Sequence, residues 1–455
     1  MKKSQASLLP ANAFSRRCFL ARTGKGAGAT LAAAAITHVH AAEEHTIRLA
    51  LIGCGGRGCG AAVNAFEASG GPVKLVAMAD LYADRLASAS RNLAGKYAAQ
   101  MDVPPDRQFV GFGAYRNAID CLRAGDIAML TGYAAFRPVQ LEYAVRQGVH
   151  VFMEKSFACD PPGVRRVMRA SEEAEKKNLK IACGLMARHS PNRQELIRRI
   201  REGQLGPIQL IRAFRMQPCG ILPPRPAGVK ELDWQIRHFT HFLWVSGGLY
   251  AEMNIHQVDE ICWVKDAYPV SAHGVGGRIA GSRDCGQNLD SLSIEWTFAD
   301  GTTAHNVARW TVNCHGDFAT YIHGTRCAAV MPWQPGRRHE TQIYKDQRIA
   351  ADNVAWKAGE EGCTHWQAEW NVLLGAIRND RPHNEGKRAA LVNLADIMGR
   401  AAVHSGRLIT WDEAMASNFQ FCPNADTLTP DSPAPVQADA EGRYPVPVPG
   451  VWSEI

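Results

Sequence analysis

Residues 47–58 read IRLALIGCGGRG: a six-residue apolar run feeds straight into Gly53-Cys54-Gly55-Gly56-Arg57-Gly58. A second apolar run, VKLVAMAD at 73–80, ends on the acid Asp80. Gly53 permits a tight turn off the strand, Gly55 lets backbone amides approach a pyrophosphate, and Gly58 allows the next helix to pack closely. The first turn of that helix then offers its free N–H groups to phosphate. In a chain with 41 glycines the spacing alone is a weak signal. The setting makes it a dinucleotide-binding fingerprint: a strand before it, the helix-compatible AAVNAFEAS after it, and an acid at the carboxyl end of the second strand. A carboxylate there accepts ribose hydroxyls and repels an added phosphate, so Asp80 favours NAD over NADP.

Working outward, the first half of the chain alternates. Apolar runs at 47–52, 73–79, 127–131, 149–153 and 180–185 are separated by helix-like segments such as 138–147 and 163–177, the pattern of a doubly wound parallel sheet. From about residue 208 the character changes to β-rich stretches, namely IQLIRAFRM, SLSIEWTF, 303–310 and ATYIHG, with turns such as Asp300-Gly301. These predict a C-terminal α+β region with an open, largely antiparallel sheet, one face of which is expected to pair subunits in a homo-oligomer. Helical periodicity returns at 366–377 and 389–404, and after Cys422 the chain becomes Pro-rich, ending in an extended arm. The expected division is a dinucleotide-binding Rossmann domain at 46–185, a substrate and oligomerisation domain at 186–424, and the arm at 425–455.

The first 41 residues read as a leader. Ser15-Arg16-Arg17-Cys18-Phe19-Leu20 precedes a Gly/Ala-rich stretch ending in Val39-His40-Ala41, the form of a twin-arginine export signal with a small-residue cleavage site. Export through the twin-arginine translocase, to the periplasm or beyond, is therefore expected. That route carries folded proteins, which suits a chain that must take up its cofactor first. The formal charge of +7 falls to +1 without the leader's six basic residues. Nothing then argues for nucleic acid or an anionic membrane, and no apolar stretch is long enough to span a bilayer. The thirteen cysteines are odd in number and irregularly spaced, so mostly buried thiols are expected and neither a disulfide framework nor a metal site.

Two further segments carry chemistry: Val151-Phe152-Met153-Glu154-Lys155-Ser156 after a strand, and GLYAEMNIHQVD at 248–259. Together with GCGGRG, Asp80, GLMARHSP at 184–191, RPHNEG and TWDEA, they make the chain closely resemble the Gfo/Idh/MocA oxidoreductases, the family of glucose-fructose oxidoreductase and inositol dehydrogenase. The resemblance covers essentially all of the chain beyond the leader and is nearest to an exported branch of sugar-degrading bacteria. It implies that Lys155 and His256 lie beside a nicotinamide ring, and that a carbohydrate or cyclitol is the substrate. The candidate cofactor contacts are Gly53, Gly55, Gly56, Arg57, Gly58, Asp80, Thr131, Glu154, Lys155 and Arg188, and the candidate catalytic residues are Lys155, His256 and Glu252. Arg188 either touches the cofactor or caps a surface turn.

These residue types suit the implied chemistry. Oxidising an alcohol needs a base for the hydroxyl proton, and an imidazole titrating near neutrality can serve. A lysine near the reacting oxygen stabilises developing negative charge. Glu252 precedes His256 by four residues, so on a helix it is expected to orient the imidazole. Glu252, His256 and Asp259 or Glu260 could instead hold a metal, but no other cluster supplies a further ligand at recognisable spacing. Two departures from the family pattern matter: Ser156 replaces the usual proline, so a cis peptide there is no longer assured, and Glu252 stands where many members have Asp. The expected activity is an NAD-dependent oxidoreductase acting on a secondary hydroxyl. One alternative is a redox-neutral glycosidase of the same family, a branch that lacks the lysine; another is a nucleotide-binding protein without chemistry.

Overall fold

In a computed structural model, residues 46–333 and 340–455 are described; the leader lies outside them. The strand that decides the fold, β1 (Ile47–Ile52), sits in the middle of a six-stranded parallel sheet with β2 (Val73–Asp80), β3 (Gln108–Val110), β4 (Ile127–Leu130), β5 (His150–Met153) and β6 (Ile181–Cys183), in the order β3-β2-β1-β4-β5-β6. This is the doubly wound dinucleotide-binding order. The apolar runs are continuous because both faces of the sheet are covered. Leu49, Leu51, Ile127, Met129 and Phe152 point into one core, while Ala50, Ile52, Ala128, Leu130 and Val151 point into the other, as the two-residue period requires.

Part of one cover comes from far along the chain. The helix His365–Arg378 sets Trp370, Leu373 and Leu374, all fully buried, against that first core. Trp370 stacks on Phe152 of β5 with centroids 4.6 Å apart. The described residues form one compact unit.

The second sheet has nine strands: β7 (Ile208–Met216), β8 (Ser271–Gly277), β9 (Ser291–Thr297), β10 (Thr303–Arg309), β11 (Asp317–Gly324), β12 (Ala328–Pro332), β13 (Gln342–Tyr344), β14 (Val354–Lys357) and β15 (Ile409–Thr410). They lie in the order β14-β13-β12-β11-β7-β10-β9-β8-β15. Pairing is antiparallel except between β7 and β10, which run parallel. A parallel pair needs a crossover, and the buried helix Gly248–Lys265 lies in that connection. On β9 and β10 alternate residues are buried, among them Leu292, Ile294, Trp296, Ala304 and Ala308, facing this helix and the helix Gly386–Ser405. The final segment packs on its own chain: Tyr444 is buried, and Glu454, 1% exposed, pairs with Arg400 at 2.8 Å.

The twelve described cysteines are all free; most are buried, and Cys314 and Cys363 are exposed. Among the described residues no helix is long and apolar enough to cross a membrane.

Candidate active site

At the carboxyl ends of the parallel strands lies a cleft of about 620 Å³. Every candidate cofactor contact except Arg188 lines it, and so does Glu252. The glycine turn is built for close approach. Gly53 has φ +98°, and a Cβ on Gly58 would stand 2.1 Å from the Gly53 carbonyl oxygen, so α-helical packing there tolerates only glycine. Gly55 and Gly56, by contrast, have open space where a Cβ would go. That space belongs to the cleft, and it fits a pyrophosphate lying against backbone at the start of the helix Gly56–Phe66. Thr131 locks the turn, its hydroxyl donating to the carbonyls of Gly53 at 2.6 Å and Ile52 at 3.0 Å.

Asp80 is 7% exposed and accepts from the backbone N–H of Cys54 at 2.6 Å and of Tyr82 at 2.9 Å. Burial raises its carboxyl pKa, against the lowering effect of those N–H groups and of Arg85. Arg85, which lines the same cleft and was not foreseen, donates to the Tyr133 hydroxyl. Arg57 and Glu154 form an ion pair at 2.8 Å.

The Lys155 loop is held from three sides. Buried Arg137 donates to the carbonyls of Leu130 at 2.5 Å, Gly132 at 2.6 Å and Ser156 at 2.9 Å. The Ser156 hydroxyl donates to the Ala251 carbonyl at 2.9 Å, and the Asn393 side-chain oxygen accepts from Phe157 and Ala158 N–H at 2.9 and 2.8 Å. The Lys155–Ser156 peptide is cis even without proline. Neither Arg137 nor Asn393 carries a sequence signal, since each acts through contacts formed only on folding.

Lys155 Nζ donates to the Glu252 carboxylate at 2.6 Å and to the Glu252 carbonyl at 2.7 Å. This corrects the expected partnership: the Glu252 carboxylate serves the lysine, which reaches it from β5. His256, one turn further along the same helix, is 7% exposed, and its Nδ1 has no hydrogen-bond partner among the described residues. Its ring lies against Trp333, with centroids 5.0 Å apart. Trp333 is fixed in turn by Glu260, which accepts from its indole N–H at 3.2 Å and from Arg193 at 2.8 Å. Burial holds the His256 pKa well below its ordinary value, and the positive charges of Lys155, Arg215 and Arg193 reinforce the shift. Arg215, at the end of β7, reaches the Met253 carbonyl on the same helix and was also missed from sequence.

Arg188 is placed elsewhere. Its guanidinium grips the Asp259 carboxylate at 2.8–2.9 Å and lies over the Trp263 ring, so it is neither a cleft residue nor a simple surface cap. The metal reading of that helix also disperses: Glu252 goes to Lys155, Asp259 to Arg188, and Glu260 to Arg193.

The shifted imidazole sets a pH prediction. The neutral ring is the form able to accept a proton, and a lowered pKa keeps it neutral further into acid. With a substrate in hand, kcat/KM should lack an inflection between about pH 6 and pH 8. An acid limb centred at the ordinary imidazole value would contradict the placement of His256 among these cations.

Residues 194–330 match the family model described as GFO/IDH/MocA C-terminal domain. Among curated proteins no sequence matches. Solved structures sharing the fold include aldose-aldose oxidoreductase from Caulobacter crescentus, at 17% identity and TM-score 0.61, covering 80% of this chain and 99% of that one. Scyllo-inositol dehydrogenase from Lactobacillus casei, solved with NAD(H) and scyllo-inositol, is 19% identical with TM-score 0.59, covering 81% and 99%. UDP-N-acetylglucosamine 3-dehydrogenase from Acidithiobacillus ferrooxidans is 20% identical with TM-score 0.56, covering 79% and 98%. The parallel sheet followed by the mixed sheet is thus a two-part fold shared with these oxidoreductases.

Proposed function

We propose that this chain of Gfo/Idh/MocA fold is an NAD-dependent oxidoreductase acting on a secondary hydroxyl, or the matching keto group, of a sugar, glycoside or cyclitol. The observation that carries this reading is the meeting of Lys155 and Glu252 in the wall of the cleft lined by the glycine fingerprint and Asp80, with His256 one helical turn beyond. Similarity to sugar and cyclitol dehydrogenases supports the substrate class, and the Asp80 carboxylate supports NAD over NADP.

Bound NAD would accept a hydride from the carbinol carbon. Gly53, Gly55, Gly56 and Gly58 would hold its phosphates and Asp80 its ribose. Neutral His256 takes the hydroxyl proton. Lys155 donates two hydrogen bonds to Glu252, leaving its third N–H for the substrate oxygen, where negative charge develops as the proton departs. Because Arg137, Ser156 and Asn393 fix the loop, little rearrangement is needed to bring that donor to bear.

Denaturing the purified protein and identifying the released nicotinamide tests the cofactor; incubation with sugars tests the chemistry. A suitable sugar alone should build up reduced nicotinamide in stoichiometric amount together with a keto product. Steady aglycone release from a chromogenic glycoside, with solvent deuterium entering the sugar and no lasting cofactor reduction, would transfer the assignment to the redox-neutral glycosidase. Lys155 is what favours the dehydrogenase.

Export follows from the leader, residues 1–41, through the twin-arginine pathway. Cofactor would then load before translocation and be recycled by a second substrate. Replacing Arg16 and Arg17 together by Lys should leave the precursor in the cytoplasm; undiminished export would point to another route. A second copy of the chain is the partner proposed for the outward face of the nine-stranded sheet, where Val275 is 73% exposed; a monomeric mass by light scattering would reject it.

A further inference from the structure

Behind the Arg57–Glu154 pair lies a second group of polar side chains that the proposed chemistry does not use. His189 ends the short turn Met186–His189 after β6, Glu369 lies on the helix His365–Arg378, and Glu385 caps the helix Gly386–Ser405. One donor atom from each lies within 4.8 Å of the others. Three segments far apart in sequence converge there, which is why no ligand spacing was readable.

Two independent observations point to a missing partner. Glu369 is 0% exposed, and among the described residues neither of its carboxylate oxygens has a hydrogen bond. His189 Nε2 is likewise buried without a hydrogen bond among the described residues, although it lies 3.4 Å from the Glu385 carboxylate. A buried carboxylate left without donors is strongly disfavoured as the free anion, so it takes up a proton or meets a bound group. The surrounding charges do not supply one. Arg57 is paired with Glu154, Arg188 with Asp259, and Arg388 with Glu385 at 2.7 Å. Glu369 is left with no ion-paired partner among the described residues. His383 Nε2, also without a hydrogen bond, stands 4.0 Å from the other Glu385 oxygen and offers a further nitrogen.

We propose that His189, Glu369 and Glu385 bind one divalent cation of the zinc class, with His383 or water completing the shell. An imidazole nitrogen beside carboxylate oxygens selects a transition-type ion over calcium or magnesium, which prefer oxygen alone. Such an ion sits about 2.0–2.2 Å from each donor, a span that side-chain rotation can close from the present separations. Its role is structural. It ties the end of β6 to the two helices that carry Trp370 beneath the parallel sheet and Asn393 beneath the Lys155 loop. Glu385 is already steadied for this by the Cys183 N–H, which donates at 2.9 Å.

The test uses the full chain, purified without chelator or histidine tag, analysed for metals, then stripped and titrated with Zn2+ while Tm is followed. We expect saturation at about one equivalent, a lower Tm after stripping and its recovery on titration, as structural sites couple binding to folding. Glu369→Gln should fold, weaken Zn2+ binding at least about tenfold, and lose the Tm response. The proposal is overturned if the stripped protein gives no Tm response to Zn2+ or Mn2+, or if Glu369→Gln binds Zn2+ as tightly as the parent. Metal content and Tm are read without substrate, so failure here leaves the oxidoreductase assignment standing.

Discussion

His256→Ala and Lys155→Ala should each lower turnover by about two orders of magnitude or more, the scale for losing a positioned acid/base or electrostatic group. The reason differs for the two. Without the imidazole, the hydroxyl proton has no acceptor among the other side chains that press on it, since Lys155, Arg215 and Arg193 are all cations. Without the ammonium, developing oxygen charge loses its donor, and Glu252 is left 7% exposed without its counter-ion. Leaving one member of a buried pair unmatched is destabilising, so Lys155→Ala should also lower Tm, whereas Lys155→Met separates packing from charge. NAD affinity should change little in His256→Ala, because that residue does not line the nucleotide cleft. Full turnover in either variant would remove that residue from the mechanism. A tenfold loss of NAD affinity in His256→Ala would show that the two sites are not separable as described.

The elements easiest to read were those whose apolar pattern runs unbroken or alternates along the chain. β1 with its glycine turn and the strand ending in Asp80 announce themselves as continuous apolar runs, and the β9–β10 hairpin announces itself through period-two burial and the turn at Gly301. What sequence could not reveal are partnerships between distant segments. Glu252 and His256 share a helix, so the local rule joined them, yet a lysine from another strand claims the carboxylate. Sequence leaves Arg188 as a loop residue facing either cofactor or solvent, whereas in the fold Asp259, 71 positions on, holds its guanidinium. Trp370 lies some two hundred residues from the strand it covers. In each case the deciding term is burial of a charged or aromatic group against a partner brought near only by the completed fold.

The glycine fingerprint yields a sharper test than its motif, because its glycines are required for different reasons. Gly55→Ala places a methyl in open space at φ −76°, a conformation alanine adopts freely. Stability should therefore stay within about 0.5 kcal/mol of the parent. The same methyl occupies the cradle where a pyrophosphate would meet backbone, so NAD affinity should fall at least about tenfold, or 1.4 kcal/mol. Gly58→Ala fails differently. Its methyl would stand 2.1 Å from the Gly53 carbonyl oxygen and 2.7 Å from the Thr131 hydroxyl, two atoms already locked together by a hydrogen bond of 2.6 Å. The helix must back away from the strand, at the overpacking cost of about 1–3 kcal/mol. Both Tm and NAD affinity should drop together in that variant. Thermal melts with and without NAD distinguish the two cases: the Gly55 variant keeps the parent's melting temperature but loses the shift on adding NAD, and the Gly58 variant starts lower. If Gly55→Ala binds NAD as the parent does, the nucleotide does not lie against this turn, and the cleft needs another occupant.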